Sequence, residues 1–207
     1  MKTFLTENNK QKISDAIKAA ESKSNGEIVT VIAQQSDSYI YLPLLWASVI
    51  ALSVPMIISL LPLTDLVSYN YSIQLISFIL LASLFRFRPL QMRLIPKKVK
   101  NQRCHRMAME QFFLNNIHHT EKRTGILIFV SVAEHYVEII ADKGINDVVA
   151  KNIWSDVVNN FIVKVKARQV VAGFVETVTT CGNELIKHFP SDEKDINELP
   201  NHLIEIH

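Results

Sequence analysis

Glycine is scarce, with five in 207 residues, and none falls in a Walker loop, a dinucleotide-binding Gly-x-Gly-x-x-Gly, a Gly-x-Ser-x-Gly elbow or an EF-hand loop. Phosphate cradles and nucleophile elbows of those kinds are therefore excluded, and no HExxH is present. The two cysteines, Cys104 and Cys181, form no CxxC and have no zinc-type Cys/His spacing. A disulfide scaffold and a structural zinc site are thereby excluded, and reduced thiols in a cytosolic domain are expected. An excess of one charge is lacking too: 22 Lys plus Arg stand against 20 Asp plus Glu, which argues against a general polyanion binder. Met1 to Asn25 is polar, without the basic start and apolar stretch of a signal peptide. Any membrane insertion is expected from an internal segment.

Such a segment is present. No charged side chain occurs between Asp37 and Asp65, and Leu42 to Leu63 is almost continuously apolar, enough to cross a hydrocarbon core of roughly 30 Å as a helix. A second uncharged run, Leu66 to Phe85, has its apolar core at Tyr71 to Phe85, and a turn at Thr64 to Asn70 joins the two. Pro55 and Pro62 would break a soluble helix but are tolerated in a membrane. Arg86, Arg88, Arg93, Lys97, Lys98, Lys100, Arg103 and Arg106 then follow without an intervening acid. By the positive-inside rule, both termini are expected in the cytoplasm. The same eight bases, interleaved with Phe87, Leu90, Met92, Leu94 and Ile95, are expected to contact anionic lipid headgroups rather than nucleic acid.

The flanking sequence reads as an α/β domain. Thr6 to Ser22 has the periodicity of a helix, and Glu27 to Ala33 is a β-branched run suited to a buried strand. A helix is expected over Asn101 to His119, strands over Gly125 to Val132 and Tyr136 to Ala141, and helices over Asp147 to Lys166 and Val170 to Phe189. The short Ala133-Glu134-His135 connection makes the last two strands antiparallel neighbours. The chain is thus divided into residues 1–36, a first piece of the soluble domain; 37–86, a transmembrane hairpin; 87–190, the rest of the domain; and 191–207, a polar tail. Within that tail Leu203, Ile204 and Ile206 are expected to pack on the surface.

Gly26-Glu27-Ile28-Val29, Ser36-Asp37-Ser38-Tyr39, Arg123 to Ser131, Val137 to Asp142 with Gly144-Ile145, Gly173-Phe174, His188-Phe189-Pro190 and Asn197 to Pro200 together resemble the bacterial membrane-anchored branch of the TPM-domain family. The resemblance implies a three-layer α/β/α sandwich with a small mixed sheet, here interrupted by a two-helix transmembrane hairpin. It also implies a range of roles, from accessory proteins to domains with proposed phosphatase activity or divalent-cation binding. Typical soluble members carry an acidic residue before the second strand and a Gly-x-Gly-Leu-Glu-like turn after the third. Arg123-Thr124-Gly125 and Asp142 to Asn146 stand at those places.

Candidate chemistry is confined to one rim. If the first two strands are parallel, Glu27, Thr124 and Asp142 share an end of the sheet with Asp147 nearby. Carboxylates there, with carbonyls and water, suit a hard cation such as Ca²⁺ or Mg²⁺. The plainer alternative is that Asp142 and Asp147 end a strand and begin a helix. His118 and His119, adjacent on a helix, would point about 100 degrees apart and not share a metal. The resulting expectation is a noncatalytic accessory protein of a multi-pass inner-membrane type, serving assembly or quality control of other membrane proteins and having a membrane-protein partner. The competing class is a membrane-tethered, cation-dependent phosphatase.

Overall fold

A computed structural model describes residues 5–60, 69–191 and 198–207. The expected turn at Thr64 to Asn70 falls mostly outside the described residues, as do Pro62 and residues 192–197 of the expected tail. The chain forms two compact units, residues 1–36 with 102–207, and residues 37–101.

The first unit opens with α1 (Glu7–Glu21), with Thr6 at its N-cap position but no side-chain capping bond, and β1 (Glu27–Ala33). Residues 37–101 carry α2 (Tyr41–Leu60), α3 (Asn70–Leu84), α4 (Arg88–Leu94) and the start of α5 (Lys97–Leu114). The first unit then resumes with a 3-10 turn (Ile117–His119), β2 (Gly125–Ser131), β3 (Tyr136–Ala141), α6 (Lys143–Asn146), α7 (Lys151–Lys166), α8 (Val170–His188) and β4 (Leu203–Ile206).

The sheet has the order β3-β2-β1-β4. β1 runs parallel to β2, in the register Glu27 to Gly125 and Ala33 to Ser131, and parallel to β4. β3 is antiparallel to β2, as the short connection requires. β4 is a fourth strand where a surface-packed tail was expected. It pairs Thr30 with Leu203 and Ala33 with Ile206, satisfying the open edge of β1 while Leu203 packs on one face of the sheet and Ile204 and Ile206 on the other.

Every residue of β1 and β2 is buried, as in strands covered on both faces. On one face Ile28, Ile32, Ile126 and Ile128 pack with Ile13 and Ile17 of α1, Phe161 of α7, and Phe174 and Leu185 of α8. On the other, Val29, Val31, Leu127 and Phe129 pack with Cys104, Ala108 and Phe112 of α5. The result is a three-layer α/β/α sandwich with a mixed sheet. Ile13, Ile17 and Ala20 recur at helical spacing and turn α1 toward α8, where Gly182 permits the approach: a Cβ there would lie 2.5 Å from the Cβ of Ala20.

The expected helix from Asp147 begins instead at Lys151. Asp142 caps α6 through its bond from the Lys143 amide, and the chain turns at Asp147 to Ala150 before α7. Gly125 is confined more tightly. A Cβ at this position would meet the Ile117 carbonyl oxygen at 2.4 Å, a backbone atom that cannot swing away. Gly125→Ala is therefore expected to lower unfolding free energy by about 1–3 kcal/mol or more, read from chemical denaturation against Gly173→Ala, where the nearest atom to an added Cβ is the Lys164 Cβ at 3.2 Å and the smaller crowding predicts a smaller loss.

In the other unit, α2 is long and apolar enough to cross a membrane, with mean hydropathy 2.0 over its best window. Leu45, Trp46, Val49, Leu52, Met56 and Leu60 are exposed along it. The expected second span is not one straight helix of that length. α3 has 15 residues, about 22 Å at 1.5 Å per residue, and the chain bends by 101° between α3 and α4. Pro89, in the first turn of α4, fits a new helix start after this break.

Candidate functional site

The sheet has two rims, and the expected acidic site lies on the one where β1 and β2 begin. Gly125 stands between the two key carboxylates: Glu27 is its register partner across β1, and the Asp142 amide donates to its carbonyl at 2.9 Å. Thr124 joins them, accepting from the Glu27 amide at 3.3 Å and donating its hydroxyl to the Asn25 carbonyl at 2.7 Å.

Each carboxylate is already engaged. Glu27, 5% exposed, accepts from the Glu198 amide at 2.9 Å and so ties down the chain leading to β4. Asp142, 7% exposed, accepts from the Lys143 amide at 2.7 Å and pairs with Arg123 Nε at 3.3 Å. Asp147 is exposed at the end of α6, its amide bonded to the Lys143 carbonyl. Among the described residues, no group of three or more His, Cys, Asp or Glu side chains is placed to hold a metal ion. A cation at this rim would have to displace a guanidinium from Asp142 and a backbone amide from Glu27.

The histidine pair differs from the helical expectation. His118 and His119 sit in a 3-10 turn, which brings their rings together with centroids 4.1 Å apart and planes tilted by 53°. His118 also meets the Phe113 ring edge-on at 5.0 Å.

The opposite rim, where β1 and β2 end, holds a polar network that no motif announces. Ser36 donates its hydroxyl to Ser131 Oγ at 2.9 Å and its amide to Glu134 Oε1 at 2.9 Å. Ser131, 1% exposed, donates to Glu134 Oε2 at 2.5 Å. The β2–β3 hairpin is thereby fastened to the strand exit, with Val132 and Ala133 amides bonded to the Ala33 and Gln34 carbonyls. Cys104 lies beside this network, and burial pushes its thiol up to about 11, against hydrogen bonding from Ser36 and Ser131 that lowers it. It stays a neutral thiol at physiological pH rather than a nucleophile. Glu134→Ala would strip two donors of their acceptor, with an expected loss of about 1–3 kcal/mol in unfolding free energy. Chemical denaturation of Glu134→Gln, which keeps one acceptor oxygen, should show a smaller loss.

Beside the network lies an apolar groove of about 400 Å³, lined by the ends of β1 and β2, the start of β3, the last turns of α7 and the first residue of α8. Ile32, Val130, Val137 and Phe161 line it together with Ile162 and Val165. Sequence periodicity marks these residues as core or surface positions one element at a time, and only the fold brings them together.

Residues 91–184 match the family model of the TPM domain. The chain carries a TPM domain. No curated protein matches the sequence. The fold is also similar to the NMR structure of the BA42 protein from the psychrophilic bacterium Bizionia argentinensis, at 23% identity and a TM-score of 0.63, covering 99% of this chain and 97% of that one. The family match spans β2, β3 and α7 and most of α8. The helix and central strand that complete the TPM sandwich come from before the apolar segment. In this TPM domain the rim where acids are expected carries Arg123 against Asp142.

Proposed function

We propose that the protein is a membrane-anchored TPM-domain protein of the multi-pass type, with both termini cytoplasmic, whose TPM domain serves as a noncatalytic accessory module for other membrane proteins. The observation that carries the reading is the girth of α2: only 22% of its most apolar window is buried, whereas an apolar core helix of a soluble protein is mostly covered. In this reading α2 crosses the bilayer and α3 returns, its short length met by local thinning. The 101° bend turns α4 into the interface. Phe87, 67% exposed, lies between exposed Arg86 and Arg88, with Arg93, Lys97 and Lys98 exposed beyond it. That is the composition of a segment seated among anionic headgroups. Lys100 donates to the Met92 carbonyl at 3.1 Å, and Arg106 pairs with Glu110 at 3.4 Å. Support for a noncatalytic role comes from the carboxylates Glu27 and Asp142, whose bonds hold the tail and α6.

Alkaline carbonate extraction of membranes, with reporter fusions at both termini, tests the reading. The protein should stay in the membrane pellet with both reporters cytoplasmic. Release into the supernatant, or a carboxy-terminal reporter on the far side, would overturn it.

A further inference from the structure

We infer that the apolar groove at the strand-exit rim is a binding site for a single long acyl chain with an anionic head, a fatty acid supplied by the membrane. The cavity of about 400 Å³ would take roughly one turn of an α-helix 10–12 Å wide, too little to seat an amphipathic helix, while it lies within the range of small-ligand pockets. A flexible hydrocarbon chain can fill such a slot completely.

Charge decides the head. The lining includes His135 and Lys166 and no acid. α7 ends and α8 begins at this mouth, so the carbonyl end of one helix dipole meets the amide end of the other and the side chains set the sign. Lys166 is the lysine of the lining. Anionic ligands are favoured and cationic amphiphiles are not.

The backbone supports the assignment. His135 and Arg168, at the hairpin and at the α7–α8 junction, both adopt left-handed φ values, 53° and 62°. Non-glycine residues rarely do so without constraint; His135 itself lines the groove, and Arg168 lies between the lining residues Lys166 and Val170. Val132 and Val165 stay 40% and 36% exposed between them, an apolar surface open to a ligand. The source of the acyl chain rests on the membrane reading above, although the groove itself does not.

The test uses the full chain in phosphatidylcholine nanodiscs with a diazirine-bearing palmitic acid, followed by irradiation and peptide mapping. Crosslinks are expected on the 130–137 and 161–170 peptides, competed by unlabelled palmitate. They should be lost in Val165→Trp and in Val132→Trp, which add bulk to the lining from α7 and from the end of β2, and fall about two- to fivefold in Lys166→Glu. Thermal unfolding in the same nanodiscs identifies any variant that fails to fold, and either tryptophan variant alone suffices. Equal labelling by a diazirine-bearing diacyl phosphatidylcholine, labelling confined to α2 and α3, or labelling unchanged by both tryptophans would overturn the proposal. Carbonate extraction keeps the two readings apart: a protein released by carbonate but labelled by aqueous palmitate in the groove loses the anchor and keeps the site.

Discussion

Phe161→Ala should lower the unfolding free energy of the TPM domain by about 3–5 kcal/mol. Phe161 is 1% exposed, and its ring meets Phe174 edge-on at 5.0 Å, with an interplanar angle of 82°. It therefore joins α7 to α8 while also forming the floor of the groove. Truncation removes the transfer energy of the ring and leaves a void, since the sheet side of the core is fixed by strand pairing. Against a typical domain stability of about 5–15 kcal/mol, such a loss would populate unfolded chains. Urea titration followed by Trp154, which packs against the same core, measures it. Phe161→Leu should recover most of the loss, and a wild-type midpoint for Phe161→Ala would mean that the two helices are held by other contacts.

The second large effect is expected in the apolar unit. Leu52, 66% exposed near the middle of α2, faces hydrocarbon in the membrane reading, where arginine costs about 2.5–3.5 kcal/mol. Leu52→Arg should move much of the protein from carbonate-resistant membranes to the soluble or degraded fraction, with Leu52→Phe unchanged. On the surface of a water-soluble protein the same arginine would shift stability by no more than about 0.5 kcal/mol and raise solubility. The two environments thus give opposite signs.

Much of the fold could be read from local pattern. β1 and β3 were legible to the residue because β-branched runs bounded by Gly26 and by the Glu134-His135 turn leave little choice of ends. α1 and α8 followed from apolar spacing. β4 was not legible: four residues after a polar stretch become a strand only because β1 offers an open edge, a partner more than 170 positions away. The break at Asp147 was hidden because the apolar periodicity of α7 extends back through Val148 and Val149 past its true start. For the site, the parallel and antiparallel pairings were enough to gather Glu27, Thr124 and Asp142 on one rim. The side-chain partners were not legible, since Arg123 and the Glu198 amide reach those carboxylates through turns. Ser36 and Ser131 stand in segments that carry the family resemblance, but nothing local announces their bonds to Glu134, and the neighbouring groove has no local signature.

The placement of β1 also has a consequence in time. Its pairing partner β2 lies about a hundred residues downstream and β4 further still, with the apolar unit emerging between them. At a synthesis rate of about 5–20 residues per second, β1 waits on the order of 5–20 s before the first neighbour exists. Through that interval the ribosome holds a nascent strand that is apolar on both faces and open at both edges, the kind of segment that seeds aggregation. Translation of this chain therefore has a window of vulnerability set by topology, and slowing elongation between residues 33 and 125 should lower the yield of folded protein.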